Sequence, residues 1–211
     1  MKVKYLGHSS FLLIGEYSVV TDPFADIGYE MERVKADYCL SSHGHYDHNA
    51  ISLVDADTVI SQKADESKGK NISLKISDSF HDGFYGKKRG SNLIYSFTLD
   101  GVRLCHMGDF GEKVNSDVKE RTEDVDVLFV PVGGKYTINA VEAVKIVDYV
   151  KPKIVIPMHF KTPRSNVDVD SVNKFLSVAG CDVVRKPNEF IIDKNELKTE
   201  SVIYLPDFLA F

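Results

Sequence analysis

The sequence predicts an α/β fold, and three observations carry that expectation. Residues 125–131 form a run that is apolar but for Asp126, the pattern of a parallel strand covered on both faces, and 153–157 read as another buried strand. Between them, Asn139 with Glu142 forms the capping box of a helix expected to reach Val150, which makes a right-handed βαβ unit. Alternating runs elsewhere call for antiparallel strands too: Asp100-Gly101 is a two-residue hairpin signal between 92–99 and 102–107.

Taken in order, residues 2–6, 10–14 and 17–21 read as a small antiparallel meander, turned at Gly7-His8-Ser9 and Gly15-Glu16 and ended by Asp22-Pro23. Residues 24–36 are irregular and charged, a loop near one rim. Residues 38–42 form a short buried strand, followed by a helix of about two turns from Asn49. Strands are expected at 58–61 and 72–77 with a polar turn or short helix between, and Phe80-His81-Asp82-Gly83 closes the second. Leu93, Tyr95, Phe97 and Leu99 share one face of the next strand. In the 139–150 helix, Val141, Val144 and Val147 or Ile146 supply the apolar stripe. A further helix spans 168–179 and closes at Gly180, and strand-like pieces at 182–185, 189–193 and 201–204 finish the chain.

A length of 211 residues suits one domain, residues 1–211, with a substantial core. Hydrophobic content of 43% and charged content of 27% are ordinary globular values, and the net charge of -5 argues against a bulk nucleic-acid binder. Cys39, Cys105 and Cys181 are odd in number and far apart, which suits buried thiols in a reducing compartment. No apolar run approaches the ~18 residues of a membrane helix and no signal-peptide core is visible, so the expectation is a soluble, cytoplasmic protein. The apolar stretch Tyr204–Phe211 suits packing on its own domain or on a second subunit, as in a homo-oligomer.

The densest chemistry is Ser41-Ser42-His43-Gly44-His45-Tyr46-Asp47-His48. Three imidazoles and a carboxylate within six residues are the donor set of zinc or a similar borderline ion, and nothing in core packing asks for them. The spacing allows His43 and His45 to serve one ion, and Asp47 and His48 a second. Three later segments each place a candidate ligand just past an expected strand: His81, Asp109 and His159. In α/β sheets that carboxyl edge is where ligands bind. His106, inside a strand, reads as a supporting or core residue. Asp22 reads as a partner for a ligand histidine's free N–H, or as a plain turn aspartate. His8 reads as a cleft residue or a structural one.

The chain resembles the small metal-dependent hydrolases of the metallo-β-lactamase superfamily that begin with a Gly-His-Ser turn. The resemblance rests on Gly7-His8-Ser9, Thr21-Asp22-Pro23, His43-x-His45-x-Asp47-His48, His81, His106-Met107-Gly108-Asp109, Gly133-Gly134-Lys135-Tyr136-Thr137 and Pro157-Met158-His159. It implies a four-layer αβ/βα sandwich of two mixed β-sheets flanked by helices. It also implies a ligand scheme: His43, His45 and His81 for one divalent ion, Asp47, His48 and His159 for a second, and Asp109 between them. Zinc is the default ion, with manganese and iron as alternatives.

The expected chemistry is hydrolysis of an ester-type bond by a hydroxide bridging the two metals, with Asp47, His48 and Asp109 central to catalysis. Asp47 is a candidate to orient the nucleophile or protonate the leaving group. The basic residues Lys87-Lys88-Arg89, Lys161 and Arg164, each following a ligand, favour a small anionic substrate such as a phosphoester or phosphorylated lactone. Tyr136 is a candidate hydrogen-bond donor to it. Three alternatives stay open: hydrolysis of a carboxylic ester, lactone or amide; a diiron redox protein; and a non-catalytic metal-binding protein on the same fold.

Overall fold

The computed structural model describes residues 1–122 and 124–207. Its strands and helices run β1 (Lys2–Gly7), β2 (Ser10–Ile14), β3 (Ser18–Thr21), β4 (Val34–Leu40), β5 (Val54–Ile60), β6 (Lys75–Phe80), β7 (Ser91–Leu99), β8 (Val102–His106), α1 (Ser116–Arg121), β9 (Val127–Pro131), α2 (Ala140–Val150), β10 (Ile154–Met158), α3 (Val172–Leu176), β11 (Asp182–Lys186), β12 (Glu189–Ile191) and β13 (Val202–Pro206). They form two mixed sheets, ordered β12-β1-β2-β3-β4-β5 and β11-β13-β10-β9-β8-β7-β6. In the first, β3, β4 and β5 are mutually parallel; in the second, β8, β9, β10, β13 and β11 are.

The inner faces of both sheets share one core. Phe11 of the first sheet meets Phe129 of the second with ring centroids 4.7 Å apart, both fully buried. Truncating either to alanine is expected to cost about 3–5 kcal/mol. As the apolar runs foretold, β9 and β10 are buried along their whole length. The outer face of the first sheet is covered by loop residues Phe24, Ile27, Tyr29 and Met31, together with Val167 and Val169. The charged stretch after Pro23 is thus a cover built on alternate apolar residues as well as a rim loop.

Several expected elements differ. The two-turn helix after Asn49 is a single 3-10 turn, Ile51–Leu53. Ala50 N–H donates to Pro23 O (2.8 Å), and from Val54 onward the chain pairs with β4, which leaves no length for a helix. In α2 the Asn139–Glu142 capping box is present, but Val141 is 54% exposed. The buried stripe is Ala143, Ile146 and Val147, one face at i, i+3 and i+4, and Val141 lies about 200° from its start. The expected 168–179 helix shrinks to α3 because the chain before it is stitched down as extended backbone. Asp170 N–H donates to Gly133 O (2.7 Å), Lys161 N–H donates to Asp170 O (2.9 Å), and Val167 and Val169 are buried. The alternation Val167-Asp168-Val169-Asp170 is a period-two signal that the helical reading passed over.

α1 has no counterpart in the sequence reading. Asn115 caps it by accepting from Val118 N–H, and Arg121 holds Glu112 through paired bonds of 2.9 and 3.0 Å. Among the described residues no helix is long and apolar enough to cross a membrane. All three cysteines are free thiols, Cys39 and Cys105 buried. Of the apolar C-terminal stretch, residues 204–206 belong to β13, paired with β10 and β11. Residues 208–211 lie outside the described residues.

Candidate metal centre

Strand direction assembles the site. β1, β3 and β4 of the first sheet end on one edge, delivering His8, Asp22 and the loop Ser41–His48. β6, β8 and β10 of the second sheet end on the facing edge, delivering His81, Asp109 and His159. The chain has seven histidines, and six of them bring their rings to this junction.

Three turns hold site residues in backbone conformations that side chains seldom adopt. His8, Asp22 and His159 have φ of 51°, 38° and 53°, each costing on the order of 1–3 kcal/mol. Gly108, at φ 54°, turns the chain so that Asp109 faces the cleft; a Cβ there would collide with Asn92 and Ser42. Asn92 then fixes the turn by accepting from Asp109 N–H (2.8 Å) and donating to Met107 O (2.8 Å).

Asp109 sits at the centre. Its Oδ1 lies 3.1 Å from His48 Nε2; its Oδ2 lies 2.9 Å from His81 Nε2, 3.2 Å from His159 Nε2 and 3.9 Å from His43 Nε2. Around it the candidate ligand atoms form overlapping groups: His43, His45 and His81; His43, His48 and Asp109; and His8, Asp47, His48 and His159. The structure therefore brings together every residue of the expected ligand scheme and adds His8.

Partners behind the rings set the tautomers. His48 Nδ1–H donates to Asp22 Oδ2 (2.8 Å), and His81 Nδ1–H to the carbonyl of Tyr136 (2.9 Å). Ser42 donates its hydroxyl to Asp22 Oδ2 (2.7 Å) and its oxygen lies 3.0 Å from His43 Nδ1. These assignments follow from the partners. In each case Nε2 is the nitrogen left to face the cleft, the usual supporting arrangement of a metal-bound histidine. Asp22 thus orients His48 directly and His43 through Ser42. Tyr136 contributes its carbonyl to this support, while its side chain is 39% exposed under the Arg89 guanidinium, 5.3 Å from the ring centroid.

His106 has a different job. Its Nε2–H donates to Ser9 O (2.9 Å) and its Nδ1 accepts from Gly108 N–H (3.2 Å), so both nitrogens are spent on scaffold. Lys161 donates from Nζ to Val167 O (2.8 Å), and Arg164 lies over the Tyr29 ring. The Lys87-Lys88-Arg89 loop is organised by buried Asp82, whose carboxylate accepts from the N–H groups of Phe84, Gly86, Lys88 and Arg89. Ser42, Asn92 and Asp82 did not stand out in the sequence. A single polar residue in a strand or turn carries no periodic or motif signal.

The electrostatics favour ionised carboxylates and neutral rings at His8 and His43, while the carboxylates beside them hold His48 and His81 above the ordinary histidine range. Burial pushes His43 down to about 3 and His8 down to about 4. Burial also lowers His48, but Asp109 and Asp22 outweigh it and hold this ring well above its ordinary range. Burial opposes ionisation of Asp109, yet His159 and His48 keep it well below the usual carboxylate range. Five buried atoms at the junction, His8 Nε2, His48 Nε2, both ring nitrogens of His159 and Asp109 Oδ1, make no hydrogen bond. Such groups are costly without a compensating ligand, and a divalent cation is what nitrogen and carboxylate lone pairs converging on one space would satisfy. The residues present fit the metal.

Fold and site together define a metallohydrolase of the sandwich type. Residues 2–159 match the family described as the β-lactamase superfamily domain, and the chain belongs to the metallo-β-lactamase superfamily. It is similar to a UPF0173 metal-dependent hydrolase of Archaeoglobus fulgidus, 31% identical over 90% of this chain and 97% of that one. It is also similar to one of Thermococcus kodakarensis, 30% identical over 90% and 98%. A crystal structure from Thermotoga maritima, proposed to be a zinc-dependent hydrolase of the same superfamily, superposes with a TM-score of 0.74 at 30% identity, covering 98% of this chain and 99% of that one. The chain is a metal-dependent hydrolase of this superfamily.

Proposed function

We propose that the protein hydrolyses an ester-type bond in a small anionic substrate, a phosphoester or phosphorylated lactone, at a two-metal centre. The observation that carries the two-metal reading is the placement of Asp109, with one oxygen toward His48 and the other toward His81 and His159. Two divalent ions, zinc by the nitrogen-rich donor set, would supply Lewis acidity and an activated water at neutral pH. His43, His45 and His81 would hold one ion and Asp47, His48 and His159 the other, with Asp109 between.

The protein's own groups do the remaining work. Asp22 and Tyr136 O keep the rings of His48 and His81 fixed, so little reorganisation accompanies reaction. Asp47, its side chain 13% exposed beside fully buried His48, stands at the boundary of the cleft, where an ionised carboxylate can take a proton from the attacking water and then hand it to the leaving group. Arg89 lines a pocket with Ser42, His43, His45, Gln62 and Lys63. Lys63 is paired with Asp78 (2.8 Å), whereas Arg89 forms no ion pair among the described residues and is available to a phosphate. The free, buried thiols Cys39 and Cys105 fit a cytoplasmic setting.

The test is hydrolysis of a chromogenic phosphodiester beside a chromogenic lactone by zinc- and manganese-loaded protein, with His48→Ala as control. Phosphodiester turnover lost in the variant supports the proposal. Lactone turnover alone moves the substrate to neutral esters, and turnover that survives His48→Ala overturns the site.

A further inference from the structure

We infer that His8 is itself a metal ligand, which brings the second site to five protein groups, the shared Asp109 included, and leaves the His43–His45–His81 site, with four, as the one open to substrate. This deepens the two-metal reading above and rests on it.

Two buried histidines near the cleft make the contrast. His106 is fully buried and both of its ring nitrogens are hydrogen-bonded to backbone. His8 is 1% exposed, yet its Nε2 makes no well-formed hydrogen bond, only a 3.3 Å approach to Asp47 Oδ2. A histidine kept only for packing would be satisfied as His106 is, because a buried unpaired polar atom costs about 1–3 kcal/mol.

The fold also spends effort on placing His8. Gly7, at φ 121°, makes the turn, and a Cβ there would strike the Tyr29 hydroxyl. His8 itself takes the left-handed conformation. Its carbonyl accepts from Tyr5 Oη–H (3.2 Å) and from His159 N–H (3.1 Å), which ties this turn to the one carrying His159. The result is an Nε2 aimed at one space with Asp47, His48 and His159, all four ligand atoms lying within 4.8 Å of one another. Two donors about 2.1 Å from one ion at the tetrahedral angle stand about 3.4 Å apart. His8 Nε2 and Asp47 Oδ2 are already 3.3 Å apart. The ring centroids of His8 and His159 are 4.3 Å apart and those of His8 and His48 5.2 Å, so small ring movements complete the set.

Five protein ligands leave no position for water on the second ion, whereas four with an exposed side leave the first able to expand to take water or substrate. His45 is exposed, whereas His8, Asp47, His48 and His159 are all buried. The second ion is therefore resident and the first is the exchangeable one.

The experiment is stepwise chelation of the zinc-loaded full chain, with retained zinc counted by mass spectrometry. Wild type should release one ion readily and hold the other. In His8→Ala the held ion should weaken at least tenfold and leave with the first, while His45→Ala should lose only the readily released ion. Unchanged retention in His8→Ala, in a variant whose metal-free melting matches wild type, overturns the inference. If His8→Ala does not fold, nitrogen NMR of wild type decides: a His8 Nε2 resonance that shifts on zinc addition supports the ligand, and one that stays put overturns it. The underlying reading fails separately, when wild type binds no zinc or His48→Ala keeps the held ion.

Discussion

In the group His43, His45 and His81, one ring is exposed and two nitrogens, His43 Nε2 and His45 Nδ1, face each other at 3.0 Å beside a surface pocket. In the group His8, Asp47, His48 and His159, every residue is buried, and four ring nitrogens make no hydrogen bond. The two groups share Asp109 and are supported from the same Asp22, yet one opens to solvent and the other does not. The difference teaches that burial divides labour within one centre. On the proposed scheme, the ligand set sealed in the sandwich would hold its ion, and the set at the loop surface would admit substrate.

The largest predicted effect joins the two groups. Asp109→Ala should weaken zinc at both by more than about 100-fold, since even supporting residues are worth 10–100-fold; isothermal titration of the metal-free variant measures it. A variant that loses affinity at one group alone would break the bridging role. Next, Asp22→Asn should cost about 10–100-fold at the buried group, by loosening His48, with a smaller effect through Ser42 on His43. Equal losses at both groups would show that the relay through Ser42 matters as much as the direct bond.

Acidity sharpens the comparison further. His8 and His43 are held neutral in the fold, down to about 4 and about 3, so folding is favoured more as pH rises toward the unfolded histidine value of about 6.5. His48 and His81 are raised, so the stability they contribute is complete below about 6.5 and is lost as pH rises through their folded values. Denaturation of metal-free protein should therefore show greatest stability near pH 6.5. Zinc competes with protons for the same nitrogens, so loading should move the optimum upward. Metal-free stability that keeps climbing to pH 8 would contradict the raised His48 and His81.

The smallest effect concerns Tyr136. Its carbonyl, and not its hydroxyl, supports His81, so Tyr136→Phe should leave zinc affinity within roughly twofold, as for most surface substitutions. A larger loss would place the hydroxyl in the centre.

Much of the fold was legible because its signals are local and strong. Continuous apolar runs announced β9 and β10, Asp100-Gly101 announced the β7–β8 turn, and Asn139 with Glu142 announced the start of α2. The failures came where tertiary pairing overrode local pattern. The expected helix after Asn49 yielded to β5 pairing with β4, and the expected start of α3 yielded to the bonds of Asp170 and Lys161. At the site, His43 to His48 stood out by density, and His81, Asp109 and His159 by position just past strands. His8 carried no such mark, for a lone histidine in a turn has the same sequence signature whether or not its ring is satisfied. Ser42 and Asn92 were invisible for the same reason.

Counting zinc on the intact chain by native mass spectrometry tests the central claim most directly. Two ions on wild type and one on His45→Ala is the predicted result. One ion or none on wild type, or two on His45→Ala, would contradict a centre built from an open group and a closed one.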